Sequence, residues 1–257
     1  MKIAIITGAS SGLGAEFVLQ MGAFPDIEEF WLIARRKEKL EALAKMMSHH
    51  THASFRVMPY DLCEEESIKS IEETLNMEKP EITWLINCAG FGKMGANTDL
   101  KRETLDQMVL LNDKAAMDMT TISLPYMAKD AHILEIASTA AFMPLPYLGV
   151  YGATKAFLLS YSRSLNVELK DVTVTAVCPY WIKDTEFIKV AQSQADASVV
   201  TRFPYASTSP YVVKHALKDA LKKKDVSTPT LGSRIHRPLA KVLPHRLLMY
   251  LWDKSRK

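Results

Sequence analysis

Tyr151 and Lys155 stand four residues apart in Tyr-Gly-Ala-Thr-Lys. On a helix that spacing puts both side chains on one face. A phenol with an ordinary pKa near ~10 is a poor acid or base at neutral pH. An ammonium beside it favours the phenolate and lowers that pKa, so the pair could exchange a proton with a bound oxygen. Ser138 ends an apolar run upstream, where its hydroxyl could donate to a carbonyl oxygen. Asn112, in Leu-Leu-Asn, could hold a proton-relay water by its amide. A Tyr/Lys pair at this spacing is common by chance, so its meaning depends on a second motif far upstream.

That motif follows the first apolar run, Ile3–Ile6, in Thr7-Gly8-Ala9-Ser10-Ser11-Gly12-Leu13-Gly14. The glycines tighten a strand-to-helix turn and let backbone N–H groups approach a pyrophosphate at a helix N-terminus. The spacing is GxxxGxG, not GxGxxG; a generic turn of small residues is the alternative. The second run, Phe30–Ile33, ends in Ala34-Arg35-Arg36-Lys37. An acidic residue here binds the ribose of NAD, whereas arginine suits the 2′-phosphate of NADP(H). A solvated helix start is the other reading, but cations are mildly unfavourable at a helix N-terminus. After the third run, Asp61-Leu62 either contacts the adenine amino group or, through Asp61, caps the next helix.

Six apolar, β-branched runs alternate with stretches of helical period: Ile3–Ile6, Phe30–Ile33, Phe55–Met58, Ile82–Ile86, His132–Ile136 and Val172–Val177. Helices are expected near 13–23, 37–48, 65–76, 103–128, 152–169 and 210–224. This pattern predicts an α/β doubly wound Rossmann fold, a single domain over 1–257. Helices would cover both faces of a parallel sheet, with the ligand at the carboxyl ends of the strands. Residues 180–210 read as an irregular loop long enough to be a lid.

Together these motifs resemble the short-chain dehydrogenase/reductase family over most of residues 1–190. Asn87-Cys88-Ala89-Gly90 matches the family's NNAG motif with one Asn replaced by Cys. The resemblance implies that Asn87, Ala89 and Gly90 lie at the cofactor and that Asn112, Ser138, Tyr151 and Lys155 form the catalytic tetrad. It implies hydride transfer between nicotinamide and a carbonyl or alcohol carbon, with Tyr151 as general acid/base and Lys155 also holding the ribose. Arg35 and Arg36 resemble the NADP-preferring subgroup. Pro179 is implied at the cofactor, and the Ile182 backbone and Thr185 hydroxyl fall where the family contacts the nicotinamide carboxamide. The usual Pro-Gly is here Pro179-Tyr180, which puts a bulky side chain near the nicotinamide or the substrate. The tail from Thr228-Pro229 through 243–246 resembles the branch of 17β-hydroxysteroid dehydrogenases and their bacterial relatives. Relatives pair their long helices, so a homodimer or homotetramer is expected.

Phe91, Phe142, Met143, Leu145, Leu148, Tyr180 and Trp181 are the expected pocket walls, beside Ser138. They offer no charged partner and suggest an apolar ketone, steroid or acyl substrate; a smaller pocket with several of these in the core is the alternative. A dinucleotide-binding sensor without chemistry and a methyltransferase are competing functions. The intact Tyr/Lys/Ser/Asn set argues against the first, and the arginine pair against the second.

The chain has 257 residues, 48% hydrophobic and 24% charged, an ordinary globular composition. The longest uncharged stretch, Ile136–Ala153, is broken by Pro144, Pro146, Gly149 and Gly152, so no membrane span is expected. The start lacks the long apolar core of a signal peptide, and Cys63, Cys88 and Cys178 lack CxxC spacing; a cytoplasmic protein without disulfides or metal is expected. His49, His50 and His52 read as a solvated helix end. Residues 214–257 carry twelve Lys/Arg and three Asp/Glu, while residues 1–213 carry twenty and twenty-six. The body needs no nucleic acid to complete it, so none is expected as a partner. The basic apolar extension 234–257 could lie on a membrane, cap an apolar pocket or pack on a second subunit; packing on protein is the expectation.

Overall fold

Strand β1 (Lys2–Thr7) alternates its side chains between two cores. Ala4 and Ile6 pack on one face of the sheet with Phe17, Phe30 and Leu32. Ile3 and Ile5 pack on the other with Trp31, Ile71 and Leu75. A strand buried on both faces must be apolar throughout, which is why these runs show no polar alternation. The computed structural model describes residues 1–193 and 199–257. The stretch 194–198 of the expected lid lies outside the described residues.

Among the described residues, seven parallel strands line up in the order β3-β2-β1-β4-β5-β6-β7. The others are β2 (Glu29–Ile33), β3 (Ser54–Met58), β4 (Glu81–Asn87), β5 (Met127–Ile136), β6 (Val172–Val177) and β7 (Val226–Ser227). The order reverses between β1 and β4, so the loops after these strands diverge and open a crevice at their carboxyl ends. The Rossmann expectation holds.

Helices α1 (Gly12–Met21), α2 (Lys37–Met47) and α3 (Glu65–Glu78) follow the first three strands. The single helix expected over 103–128 is instead α4 (Arg102–Val109), a π-turn at Leu110–Lys114, α5 (Ala115–Ser123) and a 3₁₀ turn at Leu124–Tyr126. The interruption falls on Asn112, and π-turns inside helices recur at functional sites. Helix α6 (Gly149–Glu168) carries Tyr151 and Lys155.

The segment 180–210, expected as a lid, is not irregular throughout. It holds the short helix α7 (Phe187–Gln192) and a bridge between Ile182 and Ser207. Helix α8 (Ser209–Leu221) covers the sheet beside α1. The tail forms α9 (Leu231–Val242), started by a Thr230/Ser233 capping box, and α10 (His245–Ser255). Among the described residues no helix is long and apolar enough to cross a membrane.

Candidate active site

The glycine turn is held by close backbone approach. Gly8 has φ +67°, and a Cβ there would lie 2.9 Å from the Ala89 backbone. A Cβ on Gly14 would collide with the Gly8 carbonyl. Thr7 locks the adjoining strand ends: its hydroxyl accepts from the Cys88 and Ala89 N–H groups at 2.9 and 3.0 Å. Sequence reasoning passed over this residue, although it begins the glycine motif.

Arg36 reaches back over the same turn. Its guanidinium donates to Ser10 Oγ at 3.1 and 3.0 Å, to Ser11 Oγ at 2.5 Å and to Glu186 at 2.8 Å. Lys39 also donates to Glu186, at 2.9 Å. These bonds hold the Glu186 carboxyl well below its usual range, at about 2. Arg35 is exposed and pairs with Asp61 at 3.5 Å. Asp61 does not cap α3: its Oδ1 accepts from the Cys63 N–H at 3.0 Å, a tight turn before the helix.

A cleft of about 600 Å³ joins this end to the Tyr/Lys pair. It is lined by Gly8, Ser10, Ser11, Gly12, Leu13, Arg35, Arg36, Asp61, Leu62, Ala89, Gly90, Phe91, Ser138, Tyr151, Lys155, Pro179, Tyr180, Ile182 and Thr185. Thr185 Oγ1 is buried without a hydrogen-bond partner among the described residues, and its methyl faces Gly12. A cradle closed to any Cβ at Gly8, a guanidinium with two serine hydroxyls, and an orphaned hydroxyl farther along fit a nicotinamide dinucleotide.

Three of the expected catalytic and cofactor residues lie behind the lining. Gly14 is buried under the turn. Asn87 is buried under the floor, its amide donating to Glu135 at 2.7 Å, Thr120 at 2.8 Å and the Ala116 carbonyl at 3.2 Å. Asn112 commits its amide to protein: Nδ2 donates to the Phe91 carbonyl at 2.9 Å and Thr154 Oγ1 at 3.0 Å, and Oδ1 accepts from the Phe91 N–H at 3.0 Å. Its amide N–H groups therefore fix the Gly90–Phe91 segment, where a relay water had been expected. Gly90 allows this, since a Cβ there would lie 2.8 Å from Asn112 Oδ1.

Residues 2–196 match the short chain dehydrogenase family. The chain belongs to that family. An uncharacterized oxidoreductase of Staphylococcus epidermidis is 30% identical over 225 residues, 81% of this chain and 92% of its own. The 11-beta-hydroxysteroid dehydrogenase-like 3 of Arabidopsis thaliana is 30% identical over 185 residues, 69% of this chain and 58% of its own. A short-chain dehydrogenase from Sphingobium yanoikuyae, solved in complex with NADPH, is 26% identical with a TM-score of 0.79, covering 95% of this chain and 97% of that one. The chain is thus an oxidoreductase of the short-chain dehydrogenase type with hydroxysteroid dehydrogenase relatives.

In this dehydrogenase, burial governs the charges. It pushes the Tyr151 phenol up to about 12, and a hydrogen bond with Ser138 pulls it part of the way back. Burial also brings Lys155 down to about 8. Lys155 Nζ donates to the Ile136 carbonyl at 2.7 Å and lies 5.8 Å from the Tyr151 ring centre. Burial, rather than this ammonium, dominates the phenol in this arrangement. Two carboxyls, fully buried Glu135 and half-buried Asp113, lie near Lys155: burial raises both to about 7.

The dehydrogenase's substrate end also differs from expectation. Phe142, Met143, Leu145, Leu148 and Trp181 are not in the lining. They form a core with Ala240, Leu248 and Trp252, because α9 and α10 fold over them. Tyr180 does line the cleft, and its ring packs on Gly232, where a Cβ would lie 2.9 Å away. The glycine absent at 180 is thus matched by one on the opposing helix. The lining also gains Lys93, Phe187 and Val190, from the segment after Gly92 and from α7. Lys93 is a charged group that sequence reasoning missed, but its ammonium is taken up by the Val190 carbonyl at 2.6 Å and Ser193 Oγ at 2.8 Å.

Proposed function

We propose that the enzyme is an NADP(H)-dependent carbonyl reductase acting on an apolar ketone of the ketosteroid or acyl type. The observation that carries this reading is the Arg36–Ser10–Ser11 cluster, which opens onto the same cleft as Ser138, Tyr151 and Lys155. A guanidinium with two hydroxyls is a donor set for a phosphate oxygen cluster. NADPH would lie with its pyrophosphate on the glycine turn, its 2′-phosphate at Arg36 and its carboxamide by Ile182 and Thr185. When bound, it supplies the hydride.

The chain's own residues supply the proton and the orientation. Ser138 Oγ, already bonded to the Ala140 N–H at 3.1 Å, directs its proton at the carbonyl oxygen. Tyr151 gives its phenolic proton to that oxygen as the carbon is reduced. Burial keeps the phenol protonated at neutral pH, so the proton is in place for the reductive direction. Lys155 holds the nicotinamide ribose and offsets the phenolate formed in the step. Asn112 positions Gly90–Phe91 against the substrate.

The free thiols of Cys63, Cys88 and Cys178 fit a cytoplasmic enzyme. Exposed Val109, Leu110, Met117 and Phe157, on or beside the long helices, support a homodimer or homotetramer paired there.

NADPH should raise the melting temperature more than NADH, since a ligand at 100 times its Kd stabilises by about 2.7 kcal/mol. A screen of NADPH oxidation over ketosteroids, acyl ketones and small carbonyls then finds the substrate. Tyr151→Phe should abolish turnover and keep the NADPH shift. Turnover by that variant, or no shift with either cofactor, rejects the proposal.

A further inference from the structure

Helix α9 is amphipathic the wrong way round for a core helix. Helix α2 shows the normal order: Leu40, Leu43 and Met47 are buried and the charged residues face outward. In α9 the inward face is Ser233 and Ala240, with Gly232 half-buried against Tyr180. The outward face is Leu231, Ile235, Leu239 and Val242, exposed at 64%, 52%, 43% and 80%. These fall at i, i+4, i+8 and i+11, a single stripe along the helix. After the Leu243–Pro244 link, α10 repeats the arrangement. Leu248 and Trp252 turn inward, while Leu247, Tyr250 and Leu251 are exposed.

Both helices are already folded by their inner faces, so the outer stripe is not needed to hold them. Trp252 Nε1 donates to the Pro146 carbonyl at 2.9 Å, and the Arg256 guanidinium lies 3.9 Å from the Tyr147 ring centre. An outward apolar stripe kept on two packed helices marks a surface that meets something apolar.

The charge around the stripe selects the partner. Residues 231–257 hold seven Lys/Arg and one Asp. That Asp253 is taken by Arg256, and among the described residues no carboxylate pairs with Arg234, Lys241 or Arg246. A two-fold contact between copies would bring this cationic face against itself. We propose that the outer faces of α9 and α10 dock the enzyme on an anionic lipid surface, the apolar stripe entering the headgroup boundary and the flanking cations meeting lipid phosphates. The proposal needs neither the cofactor nor the substrate assigned above. It changes the expectation that this segment packs only on protein: the inner faces do so and the outer ones face lipid.

The full-length protein is sedimented with vesicles of phosphatidylcholine alone and of phosphatidylcholine mixed with phosphatidylserine. It should pellet with the mixed vesicles only, and raised salt should release it. Ile235→Asp with Leu239→Asp should weaken binding at least ~10-fold with an unchanged melting temperature. If that double variant does not fold, Arg234→Gln with Lys241→Gln decides, and it should also lose most of the binding. Equal binding to both vesicles, or to neither, overturns the proposal. So does a stripe variant that splits an oligomer while vesicle binding is absent, which gives the face to a second copy.

Discussion

Tyr151 and Lys155 share a face of α6, yet Lys155 is anchored to the Ile136 carbonyl at the end of β5. Its charge is thereby fixed by the strand as much as by the helix. Behind it, Glu135 is fully buried, with Oε1 bonded to Asn87 and Thr120 and Oε2 without a partner among the described residues. Its carboxyl stands at about 7 against an ordinary 4.5, chiefly through burial. The folded chain therefore keeps a proton that the unfolded chain has lost between about pH 4.5 and about pH 7. Stability from this site is greatest below that window and falls as pH rises through it. Glu135→Gln cannot ionise, so its melting temperature relative to the parent should climb from about pH 5 to about pH 8. Parallel profiles would show that folding does not raise the Glu135 carboxyl above its unfolded value. Arg36 makes the second residue-scale case. Charge-assisted hydrogen bonds are worth about 1.5–3 kcal/mol, so Arg36→Ala should cut the preference for NADPH over NADH by roughly 10- to 100-fold. Isothermal titration with both cofactors measures it; an unchanged ratio removes Arg36 from the 2′-phosphate.

Helix α7 shows how far elements could be read ahead of their structure. Lys93 caps its far end by donating to Val190 and Ser193, favourable for a cation at a helix C-terminus. A single backbone bond, Met94 N–H to the Ala191 carbonyl at 2.9 Å, lies beside it. Lys93→Met should let α7 open, with amide exchange over Phe187–Gln192 speeding by about tenfold for each ~1.4 kcal/mol lost. Unchanged exchange would make the lysine ornamental to α7. Six residues give too little periodicity to be seen as a helix, and two-residue β7 too little to be seen as a strand. The long apolar strands and the glycine turn were legible because burial on two faces and a tight turn each demand particular residues locally. Phe142, Leu145, Leu148 and Trp181 were misplaced because composition cannot separate a pocket wall from a core. That distinction was made by α9 and α10, about a hundred residues downstream of Phe142. Asn112 was found by motif, but the π-turn that aims it depends on tertiary contacts to Phe91 and Thr154.

At the scale of the whole molecule, the tail belongs to the catalytic body on one side and to its surroundings on the other. The inner side can be weighed directly. Trp252 stacks on Trp181 at 6.4 Å, Trp181 meets Phe203 edge-on at 5.0 Å, and Tyr180 beside them reaches the cleft. Removing a fully buried Trp costs about 3–5 kcal/mol. Trp252 is half-buried, so Trp252→Ala should cost on the order of 2 kcal/mol, a fall of about 4–8 °C in melting temperature for a chain this size. Leu239→Ala, on the outer stripe, should stay within about 0.5 kcal/mol of the parent, as surface substitutions do. Differential scanning calorimetry of the two variants separates the faces. A Trp252→Ala variant as stable as the parent would mean that α10 lies on the body without holding it. A large loss from Leu239→Ala would mean that the outer stripe is part of the folded core, leaving no free apolar face for a lipid surface to meet.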